Sequence, residues 1–134
     1  MPRRLILDTG VLIASERDSS PWADVLQADD DVALAAVSIA GLRTGVELAG
    51  ASRRVARAAF LERVLATIPV EQYDVAVAQV HGRLLAAVPR AGTQRGAHDL
   101  IIAATAAAMK RTIVTSDRRA RFGDLPGFQC LQVG

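Results

Sequence analysis

"RLILDTGVLIASE", residues 4–16, decides the fold. Four apolar or stem-rich residues run straight into Asp8, and a helical pattern starts directly after it. "RLILD" (4–8) reads as a short buried strand and "TGVLIASE" (9–16) as the helix that follows. A strand that hands over at once to a helix is the opening of a parallel α/β layer. Working outward, "DVALAAVS" (31–38) repeats the strand pattern, and "TIVTSD" (112–117) and "FQCLQV" (128–133) repeat it again. Between them lie helical stretches: "SPWADVLQA" (20–28) with Ser20 as cap and Pro21 at its first position, "SIAGLRTGVELA" (38–49) with Ser38 as cap, "SRRVARAAFLERVLATI" (52–68), "YDVAVAQVHGRLLAAV" (73–88) with Asp74 as cap, and "HDLIIAATAAAMKR" (98–111). In the stretch 52–68, Val55, Ala59, Leu61, Val64, Leu65 and Ile68 are expected inside, with Arg53, Arg54, Arg57 and Arg63 in water. "IPVEQ" allows at most a brief strand, and "PRAGTQRGA" (89–97) is a loop. The expected fold class is α/β: a single domain, residues 1–134, with a central parallel β-sheet flanked by α-helices.

Composition narrows the function classes. The 134 residues are 51% apolar, enough for one real core and too apolar for a disordered chain. All but one of the 16 basic residues are Arg, but a net charge of +2 is too small to argue nucleic-acid binding by itself. The single cysteine, Cys130, forbids an internal disulfide and reads as a small core residue. The N-terminal apolar run is too short for a signal peptide, and no uncharged run of membrane-spanning length occurs. A cytoplasmic protein with no membrane segment is expected.

Three acids fall at comparable places. Asp8 and Asp117 end strands, and Asp99 begins the most apolar helix. In a parallel sheet, strand ends and following helix starts share one edge, where sites form. Three unpaired carboxylates on that edge ask for a cation, and an oxygen-only donor set suits Mg²⁺ or Mn²⁺ rather than Zn²⁺. Thr115 and Ser116 stand ready to orient water. Such a centre suits phosphodiester hydrolysis, although phosphatase or kinase-like chemistry fits the same acids. There is no P-loop: "PRAGTQRG" lacks the lysine and the strand–helix setting. A receiver-like phosphoacceptor domain needs a Lys after a late strand, whereas Lys110 precedes its strand.

In order and spacing these motifs resemble the PIN domain, and specifically the VapC-type ribonuclease toxins of toxin–antitoxin pairs. "LILDTGVLIA" resembles the first family motif, with Asp8 as its acid. "RGAHDLIIAATA" is similar to the third, with Asp99. "IVTSDRRARFGDLPG" resembles the fourth, with Thr115 and Asp117 in its polar positions. The second motif pairs a Ser or Thr with a Glu three residues on, then Leu and a Gly-Val pair. Ser38, Leu42, Gly45 and Val46 match, but Gly41 stands where that Glu belongs. Glu47 is no substitute, since six residues put it about 9 Å along the helix and some 240° around it. Arg121 stands where many relatives carry a further acid. The otherwise intact motif favours a single recent change at position 41, while a naturally weakened chain, an engineered inactive form and a spontaneous mutant would all leave this sequence.

The resemblance implies a Mg²⁺- or Mn²⁺-dependent endoribonuclease acting on structured RNA of the tRNA or rRNA class, with Asp8, Asp99 and Asp117 as metal ligands and Thr115 orienting water or phosphate. Arg95, Arg118 and Arg119 are placed to hold the RNA backbone. It also implies a VapB-type antitoxin partner and a homodimer. With Gly41 vacant, the chain is expected to be weakened or inactive. The competing expectation is a non-catalytic antitoxin-binding module that serves operon autoregulation.

Overall fold

The computed structural model describes residues 2–16, 26–87, 96–116 and 129–132. The elements run β1 (Arg4–Leu7), α1 (Thr9–Glu16), β2 (Asp31–Ala35), α2 (Ala36–Leu48), α3 (Ala51–Thr67), β3 (Val70–Glu71), α4 (Val75–Ala87), α5 (Ala97–Ala108), β4 (Thr112–Thr115) and β5 (Cys130–Gln132). The strands form a five-stranded sheet in the order β3-β2-β1-β4-β5, and every pairing is parallel. The chain steps outward from β1 to β3 on one side, then crosses to lay β4 on the other side of β1. The order therefore reverses between β1 and β4, which is where a doubly wound sheet opens a crevice at the carboxyl ends of its strands.

Strand alternation sorts the core into two layers. Leu5 and Leu7 of β1 join Leu34, Val114 and the buried residues of α1, α2 and α3 on one face. Ile6 joins Ala35, Ile113 and the buried residues of α4 and α5 on the other. α5 is built for that second face: Ile102, Ala103, Ala104 and Ala106 are all buried, and small side chains let the helix lie close to the sheet.

Several expectations shift by a few residues, each for a visible reason. The second strand ends at Ala35 rather than Ser38, because α2 starts at Ala36. Ser38 is thus not the N-cap. It lies inside the first turn, fully buried, while Ala35 holds the cap position without a side-chain bond. Asp74 does cap α4, its Oδ1 accepting from the Val77 N–H at 3.0 Å. On α3 the buried stripe is Phe60, Leu61 and Val64; Val55 is 75% exposed and Leu65 50% exposed, so the inward face is narrower than the pattern suggested. Residues 26–29 are not helical, and the rest of the stretch around Trp22 lies outside the described residues. No described helix is long and apolar enough to cross a membrane.

Two features fix the amino-terminal edge of the sheet. Arg3 makes a bidentate bond to Asp30, at 2.9 and 2.7 Å, and holds that carboxyl below its ordinary range, helped by the Gln27 N–H. Arg111, 6% exposed, donates to the carbonyls of Leu5 and Asp31 and pairs with Asp31 and Glu71. Just before it, α5 ends in a reciprocal pair of bonds, Lys110 N–H to Ala107 and Arg111 N–H to Ala106. That is a Schellman ending, and it puts Lys110 at φ 56°, where a side chain is strained. Lys110→Gly is expected to stabilise the protein by about 0.5–1 kcal/mol, read as a higher urea midpoint at an unchanged slope.

Candidate active site

Asp8 follows β1 directly and is 6% exposed. Its backbone carbonyl accepts from the Val11 and Leu12 N–H groups, so it opens α1, and its Oδ1 accepts from the Thr9 N–H at 2.7 Å. The start of a helix favours a carboxylate. Across the strand-order reversal, the register that pairs Leu7 with Val114 sets Asp8 beside Thr115. Thr115, also buried, donates its hydroxyl to Asp8 Oδ2 at 2.7 Å. The expectation that the acids are unpaired therefore needs correction for Asp8: both carboxylate oxygens accept hydrogen bonds, which is how a buried charge is tolerated here.

The neighbouring positions are small or hydroxylic. Thr9 donates to Ser38 Oγ at 3.2 Å, tying α1 to the buried first turn of α2. A side chain at Gly10 would start 3.6 Å from Ser116 Oγ. Sequence reasoning read Ser38 as a cap and passed over Thr9; the signal available was the hydroxyl directly after the strand-end acid.

Gly41 lies one turn after Ser38 on the same helix face. A Cβ built there points toward Thr9, meeting its Cγ2 at 3.5 Å, an ordinary contact. Position 41 thus faces the residue adjoining Asp8, and a Cβ is accommodated there without displacing its neighbour. Glu47 points elsewhere, paired with Arg43 at 3.0 Å on the exposed side. Asp99 is in the first turn of α5, half-buried, with Oδ2 accepting from the Gly96 N–H at 3.1 Å. Since α5 runs into β4 and covers the Ile6–Ile113 face, its N-terminus belongs to the carboxyl edge of the sheet, as Asp8 does. Asp117, Arg95, Arg118, Arg119 and Arg121 lie outside the described residues. Half-buried Cys130 has its thiol pushed up by burial, with the Asp8 charge adding to the effect, so it stays protonated near neutrality and is no nucleophile.

A divalent ion suits this donor set in kind: carboxylate and hydroxyl oxygens. It is a sparse set, however. Among the described residues, no three His, Cys, Asp or Glu side chains come together to hold a metal.

A buried strand-end acid at the order reversal, a hydroxyl bonded to it from the next strand and an acid at a crossing helix N-terminus define a class. The chain belongs to the PIN-domain family, whose model matches residues 5–126. Within that family it is of the VapC type. It is 36% identical over 119 residues to Ribonuclease VapC5 of Mycobacterium tuberculosis, covering 87% of this chain and 84% of that one. The solved structure of VapBC-5 from the same organism matches with a TM-score of 0.79 at 32% identity, over 98% of this chain and 100% of that one. VapBC2 of Rickettsia felis, solved on a promoter DNA fragment, matches in fold with a TM-score of 0.85 at 18% identity, over 98% and 99% of the chains.

Proposed function

We propose that this chain is the toxin scaffold of a type II toxin–antitoxin pair, a metal-dependent endoribonuclease whose cleavage is weakened or lost because Gly41 replaces an acidic ligand. The observation that carries the reading is the direction of position 41. A Cβ there meets Thr9 Cγ2 at 3.5 Å, and Thr9 follows Asp8, whose carboxylate Thr115 holds in place. Likeness to a protein named as a ribonuclease supports the reaction class. Asp8 and Asp99 are the residues to hold Mg²⁺ or Mn²⁺, with Asp117 completing the cluster. When bound, the ion supplies an acidified water and neutralises charge on the scissile phosphate.

The chain's own residues do the rest. Thr115 fixes the Asp8 carboxylate through Oδ2, and the Thr9 N–H fixes it through Oδ1. Thr9 in turn is anchored on Ser38, so the edge is preorganised before any ligand arrives. The RNA of the tRNA or rRNA class is held through its phosphates, with Arg95, Arg118 and Arg119 as proposed contacts. A VapB-type antitoxin is the proposed partner, since the solved relatives are VapBC complexes. A homodimer in the cytoplasm completes the picture.

The second reading, an antitoxin-binding module without catalysis, is favoured by one observation: no three described acids, His or Cys converge on a metal position. Cleavage of total cellular RNA with Mg²⁺ or Mn²⁺ separates the two, with EDTA and Asp8→Ala as controls. Gly41→Glu is expected to cleave at least about a hundredfold faster than the chain as it stands. It is also expected to fold as well or better, because replacing a helix-interior glycine gains roughly 0.5–1 kcal/mol. No cleavage by a folded Gly41→Glu protein on any RNA fraction would favour the binding module.

A further inference from the structure

A cavity of ≈ 650 Å³ opens beside the candidate site, between α1, α2 and α3. Its lining runs from Gly41 past Gly45 to Arg53 and Arg57, with Ile13 and Glu16 on the α1 side. Sequence reasoning left the arginines of α3 as an ordinary solvated face. Two of them are more than that. Arg57 is half-buried and its Nη1 donates to the Gly45 carbonyl at 3.1 Å, which fixes the guanidinium at the wall and leaves its other N–H groups uncommitted by that bond. Arg53 lies one turn away, exposed, on the same lining. Residues four apart on a helix set their Cβ atoms about 5–6 Å apart, a span on the scale of successive phosphates along a nucleic-acid strand.

We infer that Arg53 and Arg57 bind the phosphate backbone of single-stranded RNA and lead it along this cavity to the Asp8 edge. The inference rests on the ribonuclease reading and names a substrate-binding surface for that same site. Three observations support it. First, the cavity reaches Gly41, where a Cβ would meet Thr9, the residue whose N–H bonds the Asp8 carboxylate. Second, the α2–α3 hairpin carries Arg43, Arg53, Arg54, Arg57 and Arg63 against only Glu47 and Glu62, a local excess of positive charge that the net +2 of the chain conceals. Third, glycines at 41 and 45 leave helix backbone open to close approach, over a floor that includes Leu42 and Phe60. Among the described residues Ile13, 38% exposed, is the one exposed large apolar side chain in the lining; Leu48 and Val55, exposed on this hairpin, do not line the cavity.

The test is fluorescence anisotropy of a labelled single-stranded RNA oligonucleotide, titrated with salt in EDTA. The chain as it stands is compared with Arg53→Gln and with Arg53→Gln/Arg57→Gln. Each lost phosphate contact is expected to reduce the log–log salt slope by about 0.7, and the double variant by about 1.4. Exposed Arg53 gives a variant that keeps the fold even where the Arg57 change disturbs α2, and a thermal melt checks both. An unchanged slope and affinity in folded Arg53→Gln overturns the proposal. So does unchanged RNA binding with loss of binding to a VapB-type antitoxin, which makes the cavity a protein interface. Cleavage by Gly41→Glu reports separately on the reading beneath it. Cleavage with an unaltered slope removes the arginine track alone; no cleavage with a reduced slope removes the nuclease and leaves an RNA-binding surface.

Discussion

In a Gly41→Glu background, Asp8→Asn is expected to lower metal-dependent RNA cleavage by at least roughly a hundredfold while leaving the fold intact. Asparagine keeps the shape: its carbonyl oxygen accepts from the Thr9 N–H, and its amide donates to the Thr115 oxygen. It is also as good an opening residue for α1 as aspartate. Only the charge goes, and with it the anionic oxygen that a divalent ion needs. Coincident thermal melts with a large fall in initial rate are the expected pair of results. A fall in rate that merely tracks loss of folded protein would mean that Asp8 is a structural cap, which its bonds to α1 also allow it to be.

The largest stability effect is expected at the opposite edge. Arg111→Met keeps the aliphatic stem and removes the guanidinium that bridges β1, β2 and β3. Two carbonyls and two carboxylates then lose a donor. Glu71 and Asp31 retain some contact with water, so the loss is set below that of a fully enclosed pair, at about 2–3 kcal/mol. For a chain of this size that is roughly a 10 °C fall in Tm. Cleavage by folded Arg111→Met/Gly41→Glu at low temperature is expected to match that of Gly41→Glu alone, because Arg111 stands just before β4 whereas Thr115, which bonds Asp8, ends it.

Much of the parallel layer was legible because its strands are short, apolar and followed by helices. Asp8 stood out because a charge cannot end a buried strand without a reason. Its actual partners were less legible: Thr115 is 107 residues away, and only the β1–β4 register brings it to Asp8. Ser38 misled because serine before an apolar repeat is a good cap signal, yet Ala36 and Val37 already satisfy the helix and carry α2 two residues further back. Val55 and Leu65 misled because helical periodicity tells that a face is apolar, not how much of it the neighbouring layer covers. Arg111 gave no signal of its own; a single arginine before a strand acquires its role only when three strand ends meet around it. Gly41 was conspicuous against the family pattern, and its meaning depends on the short distance to Thr9.

The central claim is that position 41 belongs to an acidic metal site built around Asp8. The most direct measurement is Mn²⁺ binding by isothermal titration calorimetry, comparing the chain as it stands with Gly41→Glu. A gain of about 10–100-fold in affinity on adding the carboxylate is the predicted result, and it should vanish when Asp8→Asn is added. Equal Mn²⁺ affinity with and without the glutamate, in two folded proteins, would contradict the account.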